Sequence, residues 1–407
     1  MTSEIIALAS LSLRRLQIFD AAVTAGSAGA AARALGLSQP AVTHALTRLE
    51  AQLGHRLLER GPGGTAATPT GHLLHRRVAR LRGQIAAALG AARGGAADGQ
   101  RQAGAMTAAQ VRCHVAIAEY GTFSAAANAL GLSLPALHRT ARGFEQLVGV
   151  RLYSHLLRHV GVTPAGETLA RRLRVAMTEL AQARAEIAAA VGQGGGRIAV
   201  GCLPLMPKPL LARACNAALG LHPDLVIALT EDSYDHLLRE LRNGRIDIVI
   251  GALRQTDATD IKEAPLFDDP YVVLARAAHK LAGTAPSAAA LRRCDWVAAP
   301  AGTPRRAALE RLFAGRPAPR VVLETNSVTM MLAVLAQSDV LAVTARSLAA
   351  AASGTANLAV LSLAATDAGR RVGYTIRADW LPTAAQAGFQ ASLERLGAEL
   401  RRGAATG

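Results

Sequence analysis

The stretch GLSQPAVTHALTRLE, Gly36–Glu50, returns 95 residues later as GLSLPALHRTARGFE, Gly131–Glu145. Gly26–Leu57 aligns with Gly121–Leu152 without a gap, with 15 of 32 positions identical and 11 of the first 16. Further on, TPTG at Thr68–Gly71 meets TPAG at Thr163–Gly166 at the same displacement. Two copies make a duplicated domain, not a solenoid, whose stacked repeats need at least three. A chain of 407 residues also has room for two or three cores.

Each copy reads as three helices. Leu13, Leu16, Phe19 and Val23 give the first an apolar stripe at helical period. AGAAARAL and FSAAANAL predict a short second helix whose small residues admit a close neighbour. Gly36 and Gly131 supply a tight turn, Ser38 and Ser133 stand at the N-cap, and Pro40 and Pro135 occupy a first turn that tolerates a missing N–H. The third helix buries Val42, Leu46, Leu49 and Leu53, or Leu137, Ala141, Phe144 and Val148. Outward it presents Gln39, Thr43, His44, Thr47 and Arg48 in copy one, and His138, Arg139 and Arg142 in copy two.

Two helices joined at a glycine turn, the second with a polar N-terminal face, form a helix-turn-helix. Ser38, Gln39, Pro40, Thr43, His44, Thr47 and Arg48, with Ser133, Leu134, Pro135, His138, Arg139 and Arg142, are the candidate DNA-contacting residues. The strand-like pairs HRLLER…TAATPT and VRLYSH…VGVTPA predict a wing after each helix-turn-helix. The bland alternative is a helical hairpin that merely packs. Charge favours DNA: residues 1–192 hold 21 Arg against 10 acids, a balance of +11, and the remainder balances at +5. An Arg-rich, Ala-rich composition inflates that signal.

Leu13–Arg60, with its downstream TPTG, resembles the N-terminal domain of LysR-type transcriptional regulators, and so does its second copy. One copy is usual in that family, so two is a departure. After each wing runs a second helical period: Leu74, Val78, Leu81 and Ile85 in copy one, and Leu169, Leu173, Ala176, Leu180, Ala183 and Ile187 in copy two. The resemblance implies that such helices pair two subunits, giving a homo-oligomer (dimer or tetramer). Here they could pair with each other, as an intramolecular pseudo-dimer. The competing reading is that one copy is a decayed duplicate kept as scaffold. GAARGGAADGQRQAG reads as a flexible connector.

From Arg197 the pattern changes. RIAVG, LVIAL, RIDIVIG, PYVVLA, DWVAA, RVVLET, DVLAVT and RRVGYTI predict strands interleaved with helices, an α/β region of two lobes with mostly parallel pairing. Leu210–Leu253 resembles the family's effector-binding domain, which implies a periplasmic-binding-protein-like fold with a small ligand between the lobes. Strand ends and helix starts then nominate Cys202, Leu203 and Pro204, Gly251, and Thr325, Asn326 and Ser327 as effector-binding, with Ser327 equally a simple N-cap. Leu205 stands where the family commonly has Ser or Thr, leaving sugars, sugar acids and apolar acids open. Ala299–Phe313 is similar to a branch linked to sugar-related genes.

The expected fold class is α/β multidomain: two all-α-rich winged helix-turn-helix domains, 11–70 and 107–165, then a two-lobed effector domain, 196–403. Linker helices and a connector or hinge fill 71–106 and 166–195. The expected partners are double-stranded DNA and a small-molecule effector, with RNA polymerase a further one. No cofactor, metal site or catalytic residue is expected: no nucleophile elbow, HExxH, P-loop or dinucleotide fingerprint is present. His222, His236 and His279 stand alone as surface or capping residues. An enzyme or other solute sensor with a DNA-binding front end is the alternative. Cys113, Cys202, Cys215 and Cys294 show no paired spacing and read as buried thiols. With no secretion signal or membrane span, the expected location is cytoplasmic.

Overall fold

The computed structural model describes residues 11–61, 64–93, 99–156, 159–254, 256–353, 357–361 and 370–405. Met1–Ser10, read above for a targeting signal, lie outside them. The chain divides into two compact units, residues 1–197 with 242–245, and residues 198–241 with 246–407. Among the described residues no helix is long and apolar enough to cross a membrane.

The first unit opens with α1 (Leu13–Ala25), α2 (Ala28–Leu35) and α3 (Gln39–Leu53). Ser12, Ser27 and Ser38 each accept a hydrogen bond from the N–H three residues on. Gly26, Gly36 and Gly54 end the helices in the left-handed region, φ 66°, 62° and 75°. The wing is β1 (Leu58–Gly61) paired antiparallel with β2 (Gly64–Ala67), and α4 (Pro69–Arg93) follows. The sequence between the copies, expected as a flexible connector, instead forms α5 over Gly99–Ala105, while 94–98 lie outside the described residues. The reason is close packing: a Cβ at Gly99 would run into the carbonyl oxygen of Ala86 on α4.

Copy two repeats the order as α6 (Ala108–Tyr120), α7 (Phe123–Leu130), α8 (Leu134–Val148), β3 (Tyr153–Leu156), β4 (His159–Val162) and α9 (Pro164–Ala190). Two shared devices tie each wing to the third helix of its copy. Glu50 Oε1 accepts from the N–H groups of Leu57 (2.8 Å) and Leu58 (3.1 Å), and Glu145 Oε1 from those of Leu152 (2.7 Å) and Tyr153 (3.2 Å). In TPTG and TPAG, Thr68 Oγ and Thr163 Oγ donate to the carbonyls of Arg56 and Arg151, both at 2.9 Å. Each also accepts from the glycine N–H three residues on. A Cβ at Gly71 or Gly166 would collide with the carbonyl of Leu57 or Leu152, so the glycine is sterically required.

Helices α4 and α9 pack on each other. Leu74, Val78, Leu81 and Ile85 meet Leu169, Leu173, Ala176, Leu180, Ala183 and Ile187 in one core, every one at most 3% exposed. Arg76 and Arg77 reach Glu186, Arg80 reaches Glu179, and Arg172 donates to the carbonyl of Ala87, so partner numbers fall as residue numbers rise and the pairing is antiparallel.

The second unit has two five-stranded sheets. The first lobe runs β6 (Val226–Glu231), β5 (Arg197–Cys202), β7 (Ile248–Ala252), β14 (Arg371–Arg377), β8 (Ile261–Asp268). The second runs β11 (Arg320–Glu324), β10 (Asp295–Ala298), β12 (Leu341–Ala345), β9 (Tyr271–Arg276), β13 (Leu358–Leu361). Helices α10 (Lys208–Leu221), α11 (Tyr234–Arg242), α12 (Ala288–Arg292), α13 (Pro304–Leu312), α14 (Val328–Gln337), α15 (Arg346–Ser353) and α16 (Ala384–Ala405) interleave with them. All eight expected strands form. Two more, β8 and β13, escaped notice because IKEAPLFD carries charges and a proline and LAVL is very short.

The expectation of mostly parallel pairing is corrected. β5–β7, β10–β11 and β10–β12 are parallel, but β9 and β14 each pair antiparallel with both neighbours. The chain leaves the first lobe after β8 and returns through β14, so both crossing segments enter their sheets against the direction of the lobe's own strands.

Candidate nucleic-acid interface and effector cleft

The N-terminal faces of α3 and α8 are free of acidic side chains as far as Glu50 and Glu145. Ser38, Gln39, Pro40, His44, Thr47 and Arg48 are exposed and Thr43 is half-buried. In copy two Ser133, Leu134, Pro135, Arg139 and Arg142 are exposed, and Leu134 stands out as a large apolar side chain in the open. His138 is half-buried, its ring stacked on Phe123 at 4.4 Å and 15°. Its place on the outward face is therefore partly taken up by packing. First-turn N–H groups and the positive end of the helix dipole suit a phosphate at each of these helix starts.

Behind α8 lies a polar pair absent from copy one. His114 is fully buried, and its Nε2 donates to the Gly166 carbonyl while the Tyr153 hydroxyl donates to Nδ1, both at 2.9 Å. Burial, with the nearby Arg174 charge, outweighs the Gly166 bond and pushes the imidazole down to about 4. Burial likewise pushes the Tyr153 phenol up. The repeat aligns His114 with Phe19 and Tyr153 with Leu58.

A second buried polar group links the copies. Arg77, 0% exposed, donates from Nη1 to Glu179 (2.9 Å) and Gln182 (2.6 Å), and from Nη2 and Nε to Glu186 (2.6 and 3.1 Å). Burial pulls the guanidinium down, but bonds and charge from Glu186 and Glu179 outweigh it and the net shift is upward. Arg76 and Arg80 bind the same carboxylates, each at 2.9 Å. An arginine inside a helix reads as a surface residue. The missed signal was that α4 holds no acid while α9 places Glu179 and Glu186 beside its apolar seam.

In the second unit, a cleft of about 690 Å³ opens between the two sheets. Of the nominated residues, Leu203, Pro204, Asn326 and Ser327 line it, and Ser327 also caps α14 by accepting from Met330 N–H at 3.2 Å. Cys202, Gly251 and Thr325 do not. The Cys202 thiol is turned into the first lobe's core, where burial pushes it up. Gly251 is covered by the side chain of Leu203, and Thr325 Oγ accepts from Ser327 N–H at 3.1 Å. Cys113 and Cys294 are buried and Cys215 half-buried, all as free thiols. His222 ends α10 and His236 lies 3.8 Å from Asp232. His279 is buried rather than on the surface, its Nδ1 accepting from Leu281 N–H at 3.1 Å.

The cleft also holds charged groups that no sequence motif marks. Glu231, Asp232 and Asp235 line one wall. Arg254 lies 4.0 Å over the Tyr234 ring and 3.9 Å from Asp235. Arg370, 4% exposed, binds Asp269 at 2.6 Å and donates to the Leu205 carbonyl at 3.0 Å. Asp269 also accepts from Ser347 N–H and Oγ, joining the segment after β8 to the start of α15. Arg305, in the first turn of α13, is 7% exposed and donates only to the neutral Thr325 carbonyl (2.6 Å) and Met331 Sδ (3.0 Å). No carboxylate among the described residues pairs with it, and burial pulls its pKa down.

Comparison with known proteins agrees with this geometry. The lysR-family bacterial regulatory helix-turn-helix model matches twice, at residues 13–72 and 108–167, and the LysR substrate binding domain model matches residues 192–397. The HTH-type transcriptional regulator GalR of Pseudomonas putida is 29% identical over 390 residues, covering 94% of this chain and 97% of the relative. GbpR of Azospirillum brasilense is 29% identical over 61% of the chain and 74% of its own length. A full-length OxyR variant from Pseudomonas aeruginosa (23% identity, TM-score 0.53, 72% of this chain and 94% of that one) shares the fold. So does full-length CbnR in complex with its target DNA (22%, TM-score 0.50, 70% and 98%).

Proposed function

The chain belongs to the LysR family of bacterial transcriptional regulators, and on that premise we propose that α3 and α8 both enter the major groove of duplex DNA under the control of a small effector held in the cleft. The observation that carries the reading is the pair of exposed, acid-free helix N-termini, each braced by its own wing through Glu50 or Glu145. Gln39, Arg48, Arg139 and Arg142 supply base-edge or phosphate contacts. The packing of α4 on α9 supports an internal pseudo-dimer: one polypeptide supplies both members of a pair that otherwise takes two subunits.

The chemistry of the cleft supports an organic acid bearing hydroxyls. Arg305 is a buried cation with no anion among the described residues, a costly arrangement that a ligand carboxylate relieves. Ser327 and Asn326 on the same wall, and Glu231 and Asp232 opposite, take up hydroxyl groups. Lobes closing on such a ligand shift the population between two DNA-bound arrangements by its differential affinity for them.

Fluorescence anisotropy with DNA from the chain's own upstream region, titrated at several salt concentrations with and without a panel of hydroxylated organic acids, tests the whole reading. Affinity falls with a log–log slope of about −0.9 per neutralised phosphate. Absence of binding at low ionic strength, whatever acid is added, overturns it.

A further inference from the structure

The two reading helices differ where they would meet bases. Along the repeat Gln39 aligns with Leu134, Thr43 with His138, His44 with Arg139, Thr47 with Arg142 and Arg48 with Gly143. Not one of these five positions is shared. Base-edge chemistry assigns them unlike targets: an amide pairs with adenine N6 and N7, a guanidinium with guanine O6 and N7, and an apolar side chain with the thymine methyl. The His138–Phe123 stack makes the difference three-dimensional, because residue 28, the repeat equivalent of Phe123, is an alanine.

The heads are also held together as an unlike pair. Arg77 needs carboxylates beside the seam, and only α9 brings them. In copy one the positions equivalent to Glu179, Gln182 and Glu186 are Gln84, Ala87 and Ala91, so an α4·α4 pairing would bury two guanidinium groups with no acid in either helix. That penalty selects α4·α9. The antiparallel arrangement puts the attachment points, Pro69 and Pro164, at opposite ends of the pair. About 25 helical residues at ~1.5 Å each separate them by roughly 40 Å. Half-sites one duplex turn apart are separated by about 34–36 Å.

We propose that a single chain reads an asymmetric operator, two unlike half-sites about one turn apart, with an adenine under Gln39 in one and guanine under Arg139 and Arg142 in the other. This rests on the reading that both helices enter DNA, and adds that they do not read the same sequence.

Selection of bound duplexes from a random library with the full-length protein tests it. The expected motif has two different halves. The variant Gln39→Leu/His44→Arg/Thr47→Arg changes only exposed side chains and carries three of the five α8 side chains onto α3; its selected motif loses the adenine of the α3 half and shifts there towards guanine, while the α8 half stays as it was. Arg139→Ala weakens the selected site roughly 5- to 150-fold and relaxes preference in one half alone. A perfect inverted repeat selected by the unmodified protein, a lone half-site, or a triple variant whose motif is unchanged each overturns the asymmetric operator. A perfect inverted repeat still leaves DNA binding standing. No enrichment at low ionic strength overturns the DNA-binding reading itself, and the asymmetric operator with it.

Discussion

Replacing Arg77 by methionine tests how the two copies are held together. The substitution keeps the apolar stem and removes a fully buried charge, leaving Glu179 and Glu186, 4% and 9% exposed, without the group that faces both. Deleting one member of a buried ionic cluster costs about 3–5 kcal/mol because the remaining charges stay desolvated. Arg76 and Arg80 still reach the carboxylates at 2.9 Å from more exposed positions, so the expected loss lies at the lower end, about 3 kcal/mol. The triple variant Arg77→Met/Glu179→Met/Glu186→Met, in which none of the three buried charges of this cluster survives, recovers most of it. The assay is urea denaturation followed by two signals. Both tryptophans, Trp296 and Trp380, lie in the second unit, so their fluorescence reports that unit, whereas circular dichroism at 222 nm is weighted by the helices of the first. With urea slopes of about 1–3 kcal/mol per molar, the dichroism midpoint of Arg77→Met falls by about 1–3 M while the fluorescence midpoint stays put. A dichroism shift below ~0.3 M, or a triple variant weaker than the single one, refutes the account of the cluster.

Other consequences follow from individual groups. His114 is held at about 4 when folded against an ordinary 6.5, so its contribution is intact above pH 6.5 and is lost as pH falls from 6.5 towards 4, roughly 3 kcal/mol in all. The pair His114→Phe/Tyr153→Leu, copying Phe19 and Leu58, should flatten the dichroism-monitored stability between pH 7 and pH 5; an unchanged slope contradicts it. Arg305→Gln should abolish thermal stabilisation by organic acids, and stabilisation that persists in this variant would assign the anion elsewhere. Gly71→Ala or Gly166→Ala forces a Cβ into the carbonyl of Leu57 or Leu152 and should cost about 1–3 kcal/mol by thermal melting, with a neutral result arguing against the close approach.

The sequence makes the first unit's elements legible because each helix of a copy carries its own punctuation. Ser12, Ser27 and Ser38 cap, Gly26, Gly36 and Gly54 terminate, and the apolar period lies between. The seam residues of α4 and α9 were readable for the same reason. What stayed hidden depended on partners distant in sequence. Arg77 looks solvated until Glu179 and Glu186, more than 100 residues away, are placed beside it. The helix at Gly99–Ala105 has poor propensity and forms because Gly99 nestles against Ala86. In the cleft, proximity to strand ends located Leu203, Pro204, Asn326 and Ser327 but also nominated Cys202, whose strand alternation turns it into the core. Arg305 and Arg370 became visible only once two separate lobes enclosed a common space.

Joining both heads through α4 and α9 also changes how occupancy responds to abundance. A regulator assembled from two separate subunits dissociates on dilution, and its loaded fraction at scarce supply then rises with the square of concentration. On the proposal that both heads read DNA, the second is already part of the same chain and its engagement is intramolecular, so occupancy of a full site should track the first power of protein present. A cell with a few copies per chromosome would retain a working two-headed reader.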